Sequence, residues 1–249
     1  ISAFCNAGFD LMGQKQAYSS LTSYTGDIII NLTIMLLSII GGLGFAVWED
    51  IYKIKNFSGL KLHTKLVLAV TVILIVFGFL IFFLLEYGNP QTLQPLNLKE
   101  KLLAAMFQSV TTRTVGFSTL PPAALSDASK LIAIILMFIG GSPGSTAGGI
   151  KTTTVGVLFF AVLSVLRGSQ HTNVFGRRLN TEVVFRSLAI VVISLCIVMI
   201  STIILSIFEP VSFMEVFFES VAAFGTGGIT LGITPSLSII SKFVLIFTM

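Results

Sequence analysis

Residues 140–154 read GGSPGSTAGGIKTTT, a glycine-rich run that ends in lysine and threonine. Two chemistries could use it. A phosphate-binding loop needs Gly, four residues, then Gly-Lys-Ser/Thr in immediate succession, so that backbone amides and the lysine converge on one phosphate. Gly144 and Gly149 have that separation, but Ile150 stands before Lys151 and Thr152, so the register is one residue off. A phosphate loop also follows a buried strand and opens a crossover helix, whereas this run lies between long apolar segments. The second chemistry is irregular backbone at membrane depth, which is tolerated where it is covered by protein or lines a water-filled path. Its small residues and hydroxyls, Gly140, Gly141, Ser142, Gly144, Ser145, Thr146, Gly148 and Gly149, suit such a path. Lys151 then either reaches the inner interface or helps hold the loop shut.

A second group of residues repeats. FCNAGFDL, TRTVGFST and GTGGITLG superpose on Gly8, Gly116 and Gly228 at nearly equal spacing. Two positions before each glycine stands Asn6, Thr114 or Thr226, and two after stands Asp10, Ser118 or Thr230. Self-similarity at a fixed spacing marks internal repeats. Glycine permits backbone angles that aim successive carbonyls at one axis. Rings of carbonyls replace the hydration shell of a monovalent cation in potassium channels. The candidate ion-binding residues are therefore Asn6, Ala7, Gly8 and Phe9; Thr114, Val115, Gly116 and Phe117; and Thr226, Gly227, Gly228 and Ile229. In the last stretch two glycines adjoin, and register alone selects Gly228. No metal is expected beyond the transported cation.

These residues need helices to hold them. The chain of 249 residues is 54% hydrophobic and 10% charged, against about 25% charged in a soluble domain, so it reads as an integral membrane protein. The net charge of +4 is small and no basic tract points to nucleic acid. Cys5, Cys196, His63 and His171 make no metal-ligand spacing, no nucleophile–base arrangement is legible, and no enzyme activity or resident cofactor is expected. Uncharged runs at Ile28–Val47, Leu66–Leu85 and Leu188–Phe208 are each long enough to span a bilayer. The loops 49–65 and 167–186 carry Lys53, Lys55, Lys61, Lys65 and Arg167, Arg177, Arg178, Arg186, which makes them cytoplasmic by the positive-inside rule.

The segment Lys130–Leu166 must return from outside to inside. As one helix it would be about 55 Å long, against a hydrocarbon core of about 30 Å. The economical solution is a helix near Lys130–Ile139, the glycine-rich loop, and a helix near Thr152–Leu166. Leu102–Val110 and Phe213–Phe224 are apolar but too short to span, and read as re-entrant half-helices whose negative C-terminal ends aim at the ion path. The fold class is thus an all-α polytopic membrane protein of repeated helix, re-entrant pore loop and helix units around a central pore. Residues 1–48 end one unit, 49–166 form a second with the broken helix, and 167–249 form a third. Both ends of the chain read as cut. Arg113, between a half-helix and its glycine, is expected to point away from the cation path and pair with Glu219.

AFCNAGFD, FQSVTTRTVGFSTL, FIGGSPGSTAGGIKTTT and AFGTGGITLG, in that order, resemble the Trk/Ktr/HKT superfamily of potassium transporters, most like its Ktr-type membrane subunits. The resemblance implies four repeats around one pore, of which three are visible here, and one filter glycine per repeat, falling on Gly8, Gly116 and Gly228. It implies that residues 140–151 form an intramembrane gating loop. It implies potassium uptake across the plasma membrane of a bacterium, sodium-stimulated in many members, by a homodimer working with a KtrA-like cytoplasmic ring of nucleotide-binding regulatory subunits. A sodium-selective transporter of the same superfamily and a solute symporter with broken helices stay open as alternatives.

Overall fold

The computed structural model of the chain describes residues 1–14, 19–169 and 171–249, so Gln170 in the second basic loop lies outside the described residues. The helices are α1 (Ile28–Leu43), α2 (Phe45–Lys53), α3 (Leu62–Glu86), α4 (Leu98–Thr111), α5 (Asp127–Phe138), α6 (Thr152–Leu166), α7 (Thr181–Phe208), α8 (Phe213–Phe224) and α9 (Ile239–Thr248). A two-stranded hairpin, β1 (Asn173–Val174) and β2 (Arg177–Arg178), lies between α6 and α7.

The 25 residues of α3 and 28 of α7 make helices of about 37 and 42 Å, longer than a hydrocarbon core of about 30 Å. Their outer faces stay exposed and apolar, with Ile73, Leu80 and Leu84 on α3 and Ile193, Ile200 and Ile207 on α7. A helix that is apolar all round belongs in a bilayer or a deep core. The short helices are the buried ones. The C-terminal half of α4, from Phe107 to Thr111, is wholly buried, as are Val216 and Phe218–Ala222 of α8. The main core packs Phe82, Leu136, Met137, Val198 and Phe218 together, joining α3, α5, α7 and α8. A second core, with Ala3, Met35, Phe107, Val115 and Phe117, ties the N-terminal segment and α1 to α4.

Three expectations about elements need correction. Ile28–Val47 is not one straight span: α1 ends at Leu43, and α2 departs at 92°. The cause is Gly44, at φ +87°, where a Cβ would lie 2.6 Å from the Pro143 carbonyl oxygen. Half of the first basic loop is therefore helical. Asp50 on α2 accepts from the Lys61 amide at 2.9 Å and Thr64 Oγ1 at 2.6 Å, which caps α3 and fixes the turned-out helix. The first half-helix begins at Leu98 rather than Leu102, because Asn97 and Glu100 form a reciprocal capping box ahead of the apolar run. α7 likewise starts at Thr181, capped by Asn180, so Arg186 stands on a helix beside Glu182 rather than in a loop.

A carboxylate repeats in both C-terminal units. Glu86, at the end of α3, is fully buried and accepts from the Ser126 amide (2.9 Å), Ser126 Oγ (2.7 Å), Asn89 Nδ2 (2.7 Å) and Thr92 Oγ1 (2.5 Å). Glu209, after α7, accepts from the Ser238 amide at 2.8 Å. Ser126 and Ser238 are the N-caps of α5 and α9. Each carboxylate thus joins the end of a long helix to the start of the next, at the repeated pattern Leu-Ser-x-x-Ser-Lys of 125–130 and 237–242. The hydroxyls of Ser241 and Ser238 and the Ser238 amide hold the Glu209 carboxyl below its usual range. The stability this contact adds is present at neutral pH and is lost as pH falls through that lowered value. Glu86→Ala leaves buried donors unmet and should cost on the order of 3 kcal/mol. Thermal unfolding of the complete protein in detergent should show a lower midpoint for Glu86→Ala and a smaller drop for Glu209→Ala.

Candidate functional site

The three repeated glycines meet. Gly8, Gly116 and Gly228 all have left-handed backbone, at φ +68°, +90° and +66°. A Cβ on Gly116 would sit 2.6 Å from the Gly8 Cα, and one on Gly228 would sit 3.2 Å from the Gly116 Cα. The residues two positions earlier are left-handed too: Asn6 at +49°, Thr114 at +66° and Thr226 at +51°. Left-handed angles at non-glycine residues are uncommon, so their recurrence at one offset is a shared backbone design. Gly228 and not Gly227 has the left-handed angle, which agrees with the register. Above the glycines a hollow of about 280 Å³ is lined by all three, with Asp10, Ser118 and Thr230 at its walls. Phe9 is exposed there, while Val115, Phe117 and Ile229 are buried behind the strands. Asn6 Oδ1 and Thr114 Oγ1 are buried acceptors with no partner among the described residues. Such orphan oxygens fit water or a cation as their missing partner.

The half-helices hold these strands. α4 ends five residues before Gly116 and α8 ends four before Gly228, so their partial negative ends lie beside the glycines. Thr111 on α4 donates its hydroxyl to the Phe117 carbonyl, and Glu219 on α8 accepts from Thr230 Oγ1 and, at 3.0 Å, from Thr234 Oγ1. Each half-helix thus braces the segment just beyond its own glycine.

The expected Arg113–Glu219 pair does not form. Thr230 and Thr234 of its own segment occupy the Glu219 carboxylate. Arg113 follows the last turn of α4, its amide bonded to the Val110 carbonyl at 3.1 Å, and its side chain meets the glycine-rich loop instead. Its Nη2 lies 3.4 Å from the Gly140 carbonyl oxygen.

The loop between α5 and α6 is closed by its own backbone. The Gly141 amide donates to Gly148, Ile150 to Phe138 and Thr152 to Gly141, at 3.0–3.3 Å. Ser142 Oγ and Thr152 Oγ1 are 3.1 Å apart, the Ala147 amide donates to Ser145 Oγ, and Lys151 Nζ donates to the Ala147 carbonyl at 2.6 Å. Of the two readings for Lys151, the one in which it ties the loop is the contact observed. Gly144 and Gly149 supply left-handed turns. The loop also docks on the broken end of α1: Ser142 donates to the Gly42 carbonyl (3.0 Å), Thr146 to Gly41 (3.4 Å), and Phe45 to Gly144 (3.2 Å). It reaches all three glycine-bearing segments. Thr146 Oγ1 accepts from Asn6 Nδ2 at 3.2 Å, Gly140 meets Arg113, and Gly148 approaches Thr226 so closely that a Cβ would lie 2.3 Å from its hydroxyl.

A glycine axis, two half-helices aimed at it and a loop seated beneath make one arrangement, and comparison with known proteins bears on it. The family described as TrkH, cation transport protein, matches residues 1–249. The chain belongs to this family. It is 42% identical over 249 residues to Ktr system potassium uptake protein B of Bacillus subtilis, covering all of this chain and 55% of that protein. It is 38% identical over 253 residues to the potassium/sodium uptake protein NtpJ of Enterococcus hirae, again covering 55% of the relative. The crystal structure of the potassium transporter TrkH from Vibrio parahaemolyticus matches with a TM-score of 0.76 at 21% identity, over all of this chain and 53% of that one. The chain spans about half the length of these relatives. It is a multi-pass membrane protein of the TrkH family.

Within this TrkH-family fold, sequence reasoning missed the α1 break at Gly44, the bracing role of Thr111 and the loop contact of Arg113. The run Gly41-Gly42-Leu43-Gly44 was the available signal for the first. Gly44→Ala should cost roughly 1–3 kcal/mol from its backbone angles alone, since φ +87° with ψ 146° is a region essentially restricted to glycine, and more from contact with Pro143. Gly88→Ala, where a Cβ meets nothing within 4 Å, should leave the thermal midpoint unchanged in the same detergent measurement.

Proposed function

We propose that the chain carries three quarters of the pore of a potassium uptake transporter of the cell membrane. The observation that supports this best is the meeting of Gly8, Gly116 and Gly228 at one axis, each in left-handed backbone. Residues 1–48, 49–166 and 167–249 belong to three repeats, the first range being the end of one, and a fourth completes the ring. Carbonyls of residues 6–9, 114–117 and 226–229 replace the hydration shell of the ion. The ends of α4 and α8 add partial negative charge, and Asn6 and Thr114 offer side-chain oxygens. Asp10, exposed at the outer hollow, raises the local cation concentration.

Residues 140–151 gate this path. The loop lies against all three strands and is tied by Lys151, so an ion leaving the strands meets it first. Its withdrawal breaks the bonds to Gly41, Gly42 and Phe45, and inner water takes their place. A homodimer is the assembly, and a ring of KtrA-like nucleotide-binding subunits at the cytoplasmic face biases the loop through the hairpin region 167–182, where Arg177 and Arg178 are exposed. Nucleotide acts on that partner; the loop itself lacks the phosphate register. Potassium is favoured over sodium because all three strands keep glycine, whereas a serine side chain would crowd the path. The Enterococcus relative is named a potassium/sodium uptake protein, which keeps sodium as the second ion.

The test is rubidium and sodium flux into liposomes holding the complete protein. The intact protein should admit rubidium and exclude sodium. Gly116→Ser should reduce rubidium entry by at least tenfold or let sodium compete. Intact protein that passes neither ion, or a Gly116→Ser protein with unchanged fluxes, would remove the glycine strands from the ion path.

A further inference from the structure

We propose that Arg113 is a positioning residue that couples the Gly116 strand to the glycine-rich loop: its guanidinium tethers the loop at Gly140 and favours the seated state. The proposal rests on the reading of residues 140–151 as the gate. Arg113 stands three residues before Gly116 and is 8% exposed. A buried charge ordinarily needs an opposite charge or a full set of hydrogen bonds. Among the described residues Arg113 has no carboxylate partner, and its Nε has no hydrogen-bond partner. What it has is position. Its backbone continues the end of α4, and the Gly140 oxygen it meets lies just past the end of α5. The guanidinium therefore sits between two helix C-termini, where unsatisfied carbonyls carry partial negative charge.

Beside it is a cavity of about 10 Å³, lined by Arg113, Val115, Ser38, Gly42 and Gly141. That is room for one water, placed among the Gly116 strand, the loop and the α1 end on which the loop docks. One water there can take up part of the guanidinium's remaining donors while the loop is seated. When the loop leaves, the bond to Gly140 is lost and water replaces it, so what favours the seated state is the margin of this charge-assisted bond over its hydrated alternative.

The test uses the complete protein in liposomes without its regulatory partner. It compares the parent with Arg113→Lys, Arg113→Gln and a deletion of loop residues 143–147. Resting rubidium flux is read, together with labelling from the inner solution of a thiol introduced by Ser145→Cys in a Cys5→Ser, Cys196→Ser background. Arg113→Gln should raise both readouts by about tenfold, the change expected from losing one charge-assisted hydrogen bond. Arg113→Lys, which keeps the charge but loses the fork of donors, should fall between Gln and parent. A residue needed only for folding would lower yield without changing the labelling rate of the protein that assembles. If the loop deletion leaves resting flux at the parental value, the gate reading fails and the tether with it. If the deletion raises flux while Arg113→Gln leaves flux and labelling parental, the tether alone is overturned. Should the Gln protein not assemble, a parental labelling rate in Arg113→Lys overturns the proposal.

Discussion

Every peptide group buried away from water must find a partner inside the protein, and this requirement ties the two irregular segments of the chain to each other. A helix that stops leaves carbonyls without partners, and a loop leaves amides without partners. α1 stops at Leu43 and frees the carbonyls of Gly41 and Gly42; the loop of 140–151 supplies Ser142 and Thr146 amides to them and takes the Phe45 amide in return. Neither irregularity is affordable alone, because an unmet group costs several kcal/mol in a hydrocarbon setting. The bend at Gly44 and the loop are therefore one structure contributed by two distant parts of the sequence.

The same economy explains how polar and apolar residues are distributed. The long helices α3 and α7 keep apolar outer faces, while the half-helices α4 and α8 are buried and carry the polar groups that brace the strands. Charge follows the same rule. Glu86 is enclosed by four donors and Asp50 caps α3. Arg113 is the exception, a buried cation whose guanidinium meets the Gly140 carbonyl, and it lies where a strand and the loop meet.

What was legible in the sequence was what composition and local pattern carry. The glycine register, the half-helix Phe213–Phe224 and the break between Phe138 and Thr152 all show as runs of one residue class bounded by another. What was illegible depends on a partner far along the chain. Hydropathy cannot see the turn at Gly44, because Ile28–Val47 is uniformly apolar and the turn is set by Pro143 and Gly144. The Arg113 contact failed for a related reason. Pairing opposite charges is sound in water, but inside this fold two threonines occupy Glu219, and the Gly140 carbonyl is what Arg113 meets. Glu86 and Glu209 could have been found, since the Leu-Ser-x-x-Ser-Lys pattern recurs, but each caps a helix that begins well after it.

The two C-terminal units share a plan and differ in how each half-helix holds its strand. Both run from long helix to half-helix to glycine strand to a serine-capped helix held by a glutamate. In the last unit the brace at Glu219 is a carboxylate shared by two threonines. In the preceding unit the brace is a single hydroxyl at Thr111, and α5 gives way to the loop after Phe138. The capped starts of α5 and α9 are equivalent, so the difference lies in the braces. Arg113 and the elbow at Gly44 both lie against the loop of 140–151, while each half-helix holds its own strand just beyond the glycine.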